Sequence, residues 1–200
     1  MKQYKFKDVP KHKWEEGQIK EHAYHKWEFQ EGFNHHAKYY QGYFDHLKID
    51  KDLEGKSVLE IGPANYPLLG YCHNLGGCYV IEPMDSPHLD RICEEKEITI
   101  IKEIAETAIF PEVDEIWLCN VLQHVINPNT IIEKCKQSAN IIRYFEPIRT
   151  LIDPMHHWAF DLEYFISHFD KTSYYPKNMD ELYFHKWECA YGIWRKTKQS

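Results

Sequence analysis

Two carboxylates follow short apolar runs at an interval that suits the binding of a nucleoside. Residues 57–61 form the first run, which carries Glu60 and leads into Gly62, a pattern typical of a buried parallel strand that breaks into a loop. The second run, 78–81, ends at Glu82, 20 residues beyond Gly62. This interval brings the end of the second strand of a βαβ unit beside the first loop, where a carboxylate can accept hydrogen bonds from ribose hydroxyls. The two runs therefore predict a nucleoside-binding crevice.

The residues around Gly62 argue against a dinucleotide in this crevice. A pyrophosphate needs a Gly-x-Gly-x-x-Gly loop for close backbone approach to a helix N-terminus. Here Gly62 is followed by Pro63 and Ala64, with a second proline at Pro67. Glu60 would also place a negative charge beside the phosphates, whereas the same carboxylate suits a cationic amino group and a sulfonium ion. S-adenosylmethionine is a ligand of that kind.

Three segments combine a strand-like run with polar residues at its end: 58–64 (VLEIGPA), 80–83 (VIEP) and 115–125 (EIWLCNVLQHV). In this order and spacing they resemble the motif series of class I S-adenosylmethionine-dependent methyltransferases, and within them the small type 11 and type 23 methyltransferase domains. The resemblance covers roughly residues 55 to 197. It implies a Rossmann-like seven-stranded α/β sheet with helices on both faces, and S-adenosyl-L-methionine as the cofactor.

The resemblance also implies which residues bind the cofactor. Glu82 would bind the ribose, and Met84 would contact the adenine. Relatives usually carry an Asp-Ala pair that meets the adenine amino group; this chain has Ile104 and Ala105 followed by Glu106, so backbone groups would have to read the ring edge. The residues expected to bind the cofactor are Glu60, Gly62, Pro63, Ala64, Glu82, Pro83, Met84, Ile104, Ala105, Asn120 and Val121.

Methylation of a hydroxyl needs a base, and histidine is the natural choice near neutral pH. His124 follows the predicted fourth strand, and His157 lies in a loop before the last predicted helix, where relatives carry acceptor-side residues. These two are the first candidates, and His25 is a third. Gln123 stands where the family usually has a glutamate, which makes assistance by a metal less expected.

Residues 14–50 are rich in aromatic side chains and histidines. Positions 19, 23, 27, 30, 33, 37, 40 and 44 step by three and four, which predicts one helical face on a helix or on two helices that meet near Gly32. The resemblance implies that this extension covers the cofactor mouth and helps to form the acceptor pocket. The alternative is that the aromatic face packs on the core and the histidines lie in solvent. The residues expected to bind substrate are Tyr24, Trp27, His156 and Trp158.

The remaining elements follow from periodicity and turn residues. Helices are predicted at 66–75, ended by two glycines, at 127–137, which begins with an Asn-Pro pair, and from residue 162 onward. Strands are predicted at 98–101, 113–120 and 139–145, with an antiparallel pair at 171–176 and 188–197. We expect one unit, with residues 1–50 as a helical lid and 51–200 as the methyltransferase domain.

Composition narrows the class of protein. The chain has 200 residues and a net charge of -7, which argues against a protein that binds nucleic-acid backbone. No apolar run approaches the roughly 20 residues of a membrane span, and no secretory signal is recognisable, so a cytoplasmic protein without a membrane partner is expected. The six cysteines form no Cys-x-x-Cys pair, and the adjacent histidine pairs lack the spacing of zinc ligands, so reduced thiols and no metal are predicted. The sequence does not indicate an oligomeric state.

The sequence thus predicts a methyltransferase for a small-molecule acceptor, with O-methylation of a sugar or another hydroxyl compound as the favoured reaction. Its main tasks would be to align the nucleophile with the methyl group and to remove a proton. Three alternatives remain open: a module that binds the cofactor without transfer, an enzyme that cleaves the cofactor on the same scaffold, and a nicotinamide-dependent oxidoreductase. Pro63, Ala64 and Glu60 argue against the last.

Overall fold

Seven strands form one twisted sheet in the computed structural model, which describes residues 8–28, 33–176 and 187–197. The strand order is β3-β2-β1-β4-β5-β7-β6, in which β1 to β5 are parallel and β7 runs antiparallel to β5 and β6. The strands are β1 Val58–Ile61, β2 Cys78–Ile81, β3 Thr99–Ile101, β4 Val113–Cys119, β5 Ala139–Pro147, β6 Ser173–Tyr175 and β7 Cys189–Arg195. The direction of the strand order reverses between β1 and β4, and such a switch point is where open α/β sheets bind ligands.

Five helices accompany this sheet in the described part of the chain: α1 Lys11–Glu28, α2 Phe33–Leu47, α3 Pro87–Glu95, α4 Pro128–Ser138 and α5 Leu162–His168. Three of them begin at a residue whose side chain accepts a hydrogen bond from a backbone N–H of the first turn: Ser86, Asn127 and Asp161. Proline follows the first two caps at the start of the helix, where its missing N–H is tolerated.

Successive side chains of a strand point to opposite faces of the sheet, so the core has two layers, one on each face. Leu59 and Ile61 point to the layer that contains the buried residues of α4 and α5. Val58 points to the opposite layer, which contains the buried end of α2 and the buried residues of α3. Helices therefore cover both faces of the sheet, as the fold class predicted.

An ion pair inside the second layer attaches α2 to the sheet. Arg143 on β5 contacts Glu115 on β4 through Nε to Oε2 at 2.5 Å and Nη2 to Oε1 at 3.0 Å. Its Nη1 donates to the carbonyl oxygens of Leu47 and Lys48, where α2 ends. A cation at a helix C-terminus is favourable because the last carbonyl groups have no partner within the helix.

Most predicted elements are confirmed, with boundaries shifted by one or two residues. One is wrong: residues 66–75 do not form a helix, and only a single 3₁₀ turn, Leu68–Tyr71, is present. Pro67 precedes this turn in an extended conformation, and Gly70 lies within it. Both residue types disfavour a longer helix.

Of the two expected forms of the N-terminal extension, one helix or two, the structure has two, and residues 29–32 between them lie outside the described part. On the aromatic-rich face predicted for α1, Ile19 is 72% exposed and Ala23 is also exposed. Gly17 is buried instead, so the inward face of α1 is a different one. All six cysteines are free thiols, and no helix of the described residues is long and apolar enough to cross a membrane.

Candidate functional site

The loops that follow β1 and β2 meet at Glu82. This carboxyl group lies at the end of β2, is 3% exposed, and accepts hydrogen bonds from the backbone N–H of Ala64 at 2.9 Å and of Met84 at 3.0 Å. Burial raises the pKa of Glu82, and these two hydrogen bonds oppose that shift. The structure thus brings Glu82 beside the loop after Gly62, as the interval between them predicted.

The loop after β1 also packs directly on the loop after β4. Gly62 has a φ of 65°, and a Cβ on it would overlap Cγ2 of Val121. Asn120 begins the second loop with a φ of 59°, and its side chain accepts a hydrogen bond from Nε2 of Gln123 at 2.9 Å. The predicted cofactor residues at the ends of β1 and β4 are therefore neighbours.

Two buried glutamates support these loops from within the protein. The Glu60 oxygens accept from the backbone N–H of Leu68 and Leu69 at 2.8 and 3.1 Å. Glu146 on β5 accepts from the N–H of Val121 and Leu122, each at 3.1 Å. Burial raises the pKa of Glu60 to about 7 and that of Glu146 to about 8.

Glu60 lies in the interior beneath the loop after β1. Its carboxyl group is 3% exposed and holds the 3₁₀ turn through both oxygens, and its role beside a cationic ligand stays a prediction. Strand alternation explains this outcome, because Glu60 and Val58 point to the same layer of the core.

The segment expected to read the adenine edge is tied to α4. The carboxylate of Glu106 accepts from the N–H of Ile126 and Asn127 at 2.6 and 2.9 Å, just before α4 begins. Lys134 on α4 donates to the carbonyl oxygens of Ala105 and Glu106 at 2.8 and 3.0 Å. The Ala105 carbonyl and the Glu106 carboxylate are thus engaged within the protein, and the Ile104 carbonyl oxygen accepts from the backbone N–H of Thr107 and Ala108 at 3.1 and 3.0 Å.

His124 is held on both sides of its ring. Its Nδ1 lies 2.9 Å from Oε2 of Glu21 on α1 and 3.0 Å from the carbonyl oxygen of Met155. Its Nε2 lies 3.2 Å from Nε2 of Gln123. The side chains of Glu21 and His124 are 14% and 13% exposed. The sequence analysis did not identify Glu21, because nothing local marks one glutamate on a charged helix.

The charge of Glu21 dominates the electrostatics of this ring. Burial by itself would lower the pKa of His124, but attraction and hydrogen bonding to Glu21 give a net rise. Burial by itself would raise the pKa of Glu21, and His124 and His25 together bring it well below its usual range. Each group therefore stabilises the charged form of the other.

The two other predicted bases lie close by, in different environments. His25 on α1 has Nε2 3.7 Å from Oε1 of Glu21. His157 donates its backbone N–H to the Gln123 carbonyl oxygen at 2.8 Å, while its Nε2 is buried without a hydrogen-bond partner among the described residues. Burial and the nearby charge of His124 lower the pKa of His157.

Helix α1 is fixed to the carboxyl edge of the sheet by several contacts. Trp14 donates its indole N–H to the His124 carbonyl oxygen at 2.9 Å, and Asn65 donates its side-chain N–H to the His25 carbonyl oxygen at 3.1 Å. Gly17 faces the loop after β5 so closely that a Cβ would overlap the Pro154 carbonyl oxygen. The helix therefore reaches the loops after β1, β4 and β5.

The four predicted substrate residues have different locations. Trp158 is 9% exposed within the core, and its indole N–H donates to the Val125 carbonyl oxygen at 2.7 Å. His156 bonds Asp153 through Nδ1 at 2.8 Å, and its ring lies 4.9 Å from that of His124. Tyr24 on α1 is 48% exposed, and the Trp27 side chain lies outside the described residues.

No family model matches this sequence, and no curated protein matches it. Solved structures do match. The YcgJ protein from Bacillus subtilis has a TM-score of 0.57 at 13% identity, over 71% of this chain and 75% of that one. The N-terminal domain of EvdMO1 with SAH bound has a TM-score of 0.56 at 12% identity, over 79% of each chain. The N-methyltransferase NodS from Bradyrhizobium japonicum WM9, in complex with S-adenosyl-L-homocysteine, has a TM-score of 0.52 at 14% identity, over 80% of this chain and 100% of that one.

The chain has the class I methyltransferase fold. The strand order, the antiparallel β7 and these structural matches agree on it. At identities of 12 to 14% the matches concern the fold alone. Within this fold, Glu82 and the Gly62 loop lie at the switch point of the sheet, and His124 follows β4 at the same edge.

Proposed function

We propose that this protein is an S-adenosylmethionine-dependent methyltransferase that acts on a hydroxyl group of a small molecule. The observation that carries the proposal is that one edge of a class I methyltransferase sheet holds a buried acid at the end of β2 and a histidine after β4 whose Nδ1 lies 2.9 Å from a carboxylate. The acid can bind the hydroxyl groups of a ribose, and the histidine can act as the proton acceptor. The complexes of EvdMO1 and NodS with S-adenosylhomocysteine support the choice of cofactor.

The residues present fit the ribose end of the cofactor better than its adenine end. Glu82 lies between the N–H groups of Ala64 and Met84, so its carboxylate could accept ribose hydroxyls at the same edge. Glu106 is committed to the start of α4, and an adenine amino group would need a backbone partner. When bound, S-adenosylmethionine supplies a methyl group that its sulfonium charge has already activated.

Polar atoms that lack a partner support a polar acceptor. Oε1 of Gln123 and Nε2 of His157 are buried without hydrogen-bond partners among the residues that the structure describes. An unpaired buried polar atom costs about 1 to 3 kcal/mol, and a ligand that supplies the missing partner recovers it. A hydroxyl group can both donate and accept, which suits the amide oxygen and the ring nitrogen alike.

His124 is the base in this proposal. His157 and His25 are the other two candidates for that role. The Nε2 atom of His124 faces the Gln123 amide and is available to take a proton once a substrate hydroxyl replaces that contact. EvdMO1 has also been solved in the presence of SAH and D-fucose, which supports a sugar as one class of acceptor to test.

The cofactor part of the proposal is tested by calorimetric titration with S-adenosylhomocysteine and, separately, with NAD. Binding of the former only is expected. Glu82→Ala should weaken it about 10-fold to 100-fold, because a charged hydrogen-bond acceptor is lost. Asp85→Ala is the matched control, since this carboxylate is 98% exposed in the same loop. Binding of NAD, binding of neither compound, or affinity indifferent to Glu82 would overturn the cofactor assignment.

The transfer itself is tested by mass spectrometry after incubation with S-adenosylmethionine and a panel of monosaccharides, other hydroxyl compounds and amines. A methylated hydroxyl compound is expected. If only amines are methylated, the assignment of O-methylation is wrong and the enzyme is an N-methyltransferase. Binding of S-adenosylhomocysteine without methylated product from any compound would favour a binding module, and release of cleaved cofactor would favour the cleaving enzyme.

A further inference from the structure

Helix α1 brings one carboxylate, that of Glu21, to the imidazole of His124. The oxygen and Nδ1 are 2.9 Å apart, and both side chains are largely shielded from solvent. This pair joins the N-terminal helix to the loop after β4. At this separation in a shielded site the two charges attract each other strongly, although Oε2 of Glu21 has no hydrogen-bond partner among the described residues and the hydrogen bond of Nδ1 is to the Met155 carbonyl oxygen.

We propose that Glu21 is a positioning residue for methyl transfer, whose charge stabilises the imidazolium form of His124 while the Met155 carbonyl oxygen holds its tautomer. The inference rests on the proposed function, and it adds a residue from outside the sheet to that site. Glu21 acts through His124 and needs no contact with substrate or cofactor.

The tautomer follows from the contacts of Nδ1. Both neighbours of this atom, the Glu21 carboxylate and the Met155 carbonyl oxygen, are acceptors. The hydrogen therefore lies on Nδ1, and Nε2 keeps the lone pair that a base needs. The amide of Gln123 is consistent with this arrangement, because its N–H can donate to Nε2 at 3.2 Å.

The proton balance gives Glu21 its role. The acceptor hydroxyl loses its proton to Nε2, its oxygen bonds to the methyl carbon, and the carbon–sulfur bond breaks with its electrons going to sulfur. The products are a methyl ether, neutral S-adenosylhomocysteine and an imidazolium ion on His124. The Glu21 carboxylate lies beside the charge that forms, in the way that the acid of a catalytic triad supports its histidine.

Other charged groups around His124 do not replace Glu21. Asp153 is bonded to His156 at 2.8 Å, and the carboxyl group of Glu146 has its pKa raised to about 8, so it is mostly neutral near neutral pH. His156 and His157 are imidazoles on the loop after β5, and His25 lies on α1 beside Glu21. Glu21 is therefore the main anion in contact with the ring.

The docking of α1 does not depend on this pair alone. Trp14 bonds the His124 carbonyl oxygen, Val9 donates its backbone N–H to the Ile126 carbonyl oxygen at 3.1 Å, and Asn65 bonds the His25 carbonyl oxygen. Replacing Glu21 by an amide of the same shape should consequently leave the helix in place while it removes the charge.

The test compares the wild type with Glu21→Gln, Glu21→Asp and, as a matched control, Glu16→Gln on the exposed side of the same helix. Imidazole ¹⁵N shifts of His124, assigned with His124→Gln, report its tautomer and its titration without any acceptor. In the wild type the hydrogen should lie on Nδ1. Glu21→Gln should move the titration to lower pH, Glu21→Asp should restore part of the shift, and Glu16→Gln should leave it unchanged.

The same samples are titrated with S-adenosylhomocysteine, which separates two kinds of failure. Unchanged affinity together with a lowered His124 titration supports the inference. A His124 titration that is the same in Glu21→Gln as in wild type would overturn it, whatever the affinity. Failure of the wild type to bind S-adenosylhomocysteine would instead overturn the proposed function. If Glu21→Gln does not fold, Glu21→Asp alone provides the comparison. Because only part of the shift is expected in that variant, a His124 titration identical to that of the wild type would count against the inference.

Discussion

Gly62 and Val121 are in direct contact across the switch point of the sheet, so that a Cβ on Gly62 would overlap Cγ2 of Val121 and lie 3.2 Å from its Cβ. The loop after β1 therefore has no room for a side chain at this position. Its φ of 65° adds a second requirement for glycine, because other residues are strained there.

We expect Gly62→Ala to lower the free energy of unfolding by about 1 to 3 kcal/mol, because strain and overpacking add. It should also weaken S-adenosylhomocysteine binding, since the Glu82 contact to Ala64 belongs to the same loop. Urea denaturation and calorimetry measure the two effects. The double variant Gly62→Ala with Val121→Ala should recover part of the stability, and no recovery would show that the steric contact is unimportant. Gly55→Ala is a control, because it has a φ of 79° but open space around it.

The close approach of α1 to the loop after β5 predicts an unusual effect for Gly17→Ala. Alanine favours an isolated helix over glycine by about 0.8 to 1 kcal/mol, yet its Cβ would overlap the Pro154 carbonyl oxygen and lie 3.0 Å from Nε2 of His157. We expect a lower melting temperature and a His124 titration closer to that of free histidine. Lys20→Ala, exposed on the same helix, is the control. A more stable Gly17→Ala protein would contradict the described packing of α1.

Removal of Arg143 should destabilise the protein much more than removal of a surface arginine. Arg143→Met leaves Glu115, whose side chain is 4% exposed, without its cation and frees the carbonyl groups at the end of α2. A loss of about 3 to 5 kcal/mol is expected in urea denaturation. Arg91→Met is the control, because its 3.9 Å pair with Glu95 is exposed and contributes about 0 to 1 kcal/mol. Similar losses for the two variants would disprove the assigned importance of the buried pair.

Stability should fall as the pH rises through the neutral range because of Glu60 and Glu146. Burial raises their pKa values to about 7 and about 8, above the ordinary glutamate value of about 4.3. The native state therefore binds more protons than the unfolded chain, and the stabilisation is complete below the unfolded pKa and is lost as the pH rises through the folded pKa.

Glu146→Gln tests this sign. Its free energy of unfolding, from urea denaturation at several pH values, should change less between mildly acidic and mildly alkaline pH than that of the wild type. Glu133→Gln on α4 is the control, since that side chain is 60% exposed, and its pH dependence should match the wild type. An unchanged slope in Glu146→Gln would mean that this carboxyl group is not protonated in the native protein.

Elements with a strong local pattern could be predicted from the sequence. The apolar runs of β1, β2, β4 and β5 gave parallel strands, because such runs between turn residues have few other stable solutions. Asn127 and Pro128 marked the start of α4 correctly. The helix expected at 66–75 was wrong because Pro67 and Gly70 disfavour it and the Glu60 carboxyl group bonds the backbone N–H of Leu68 and Leu69, which holds the turn at Leu68–Tyr71.

The sequence by itself determined the parallel strands and the placement of Glu82 beside the Gly62 loop, because the spacing along a βαβ unit fixes which strand ends become neighbours; its resemblance to class I methyltransferases implied the seven-stranded sheet. Only the tertiary structure decided that the Glu60 carboxyl group bonds the turn at Leu68–Tyr71, that Trp158 lies in the core, and that Glu21 lies beside His124. The last two placements depend on how α1 and the long loops pack on the sheet, for which no local period in the sequence provides a signal.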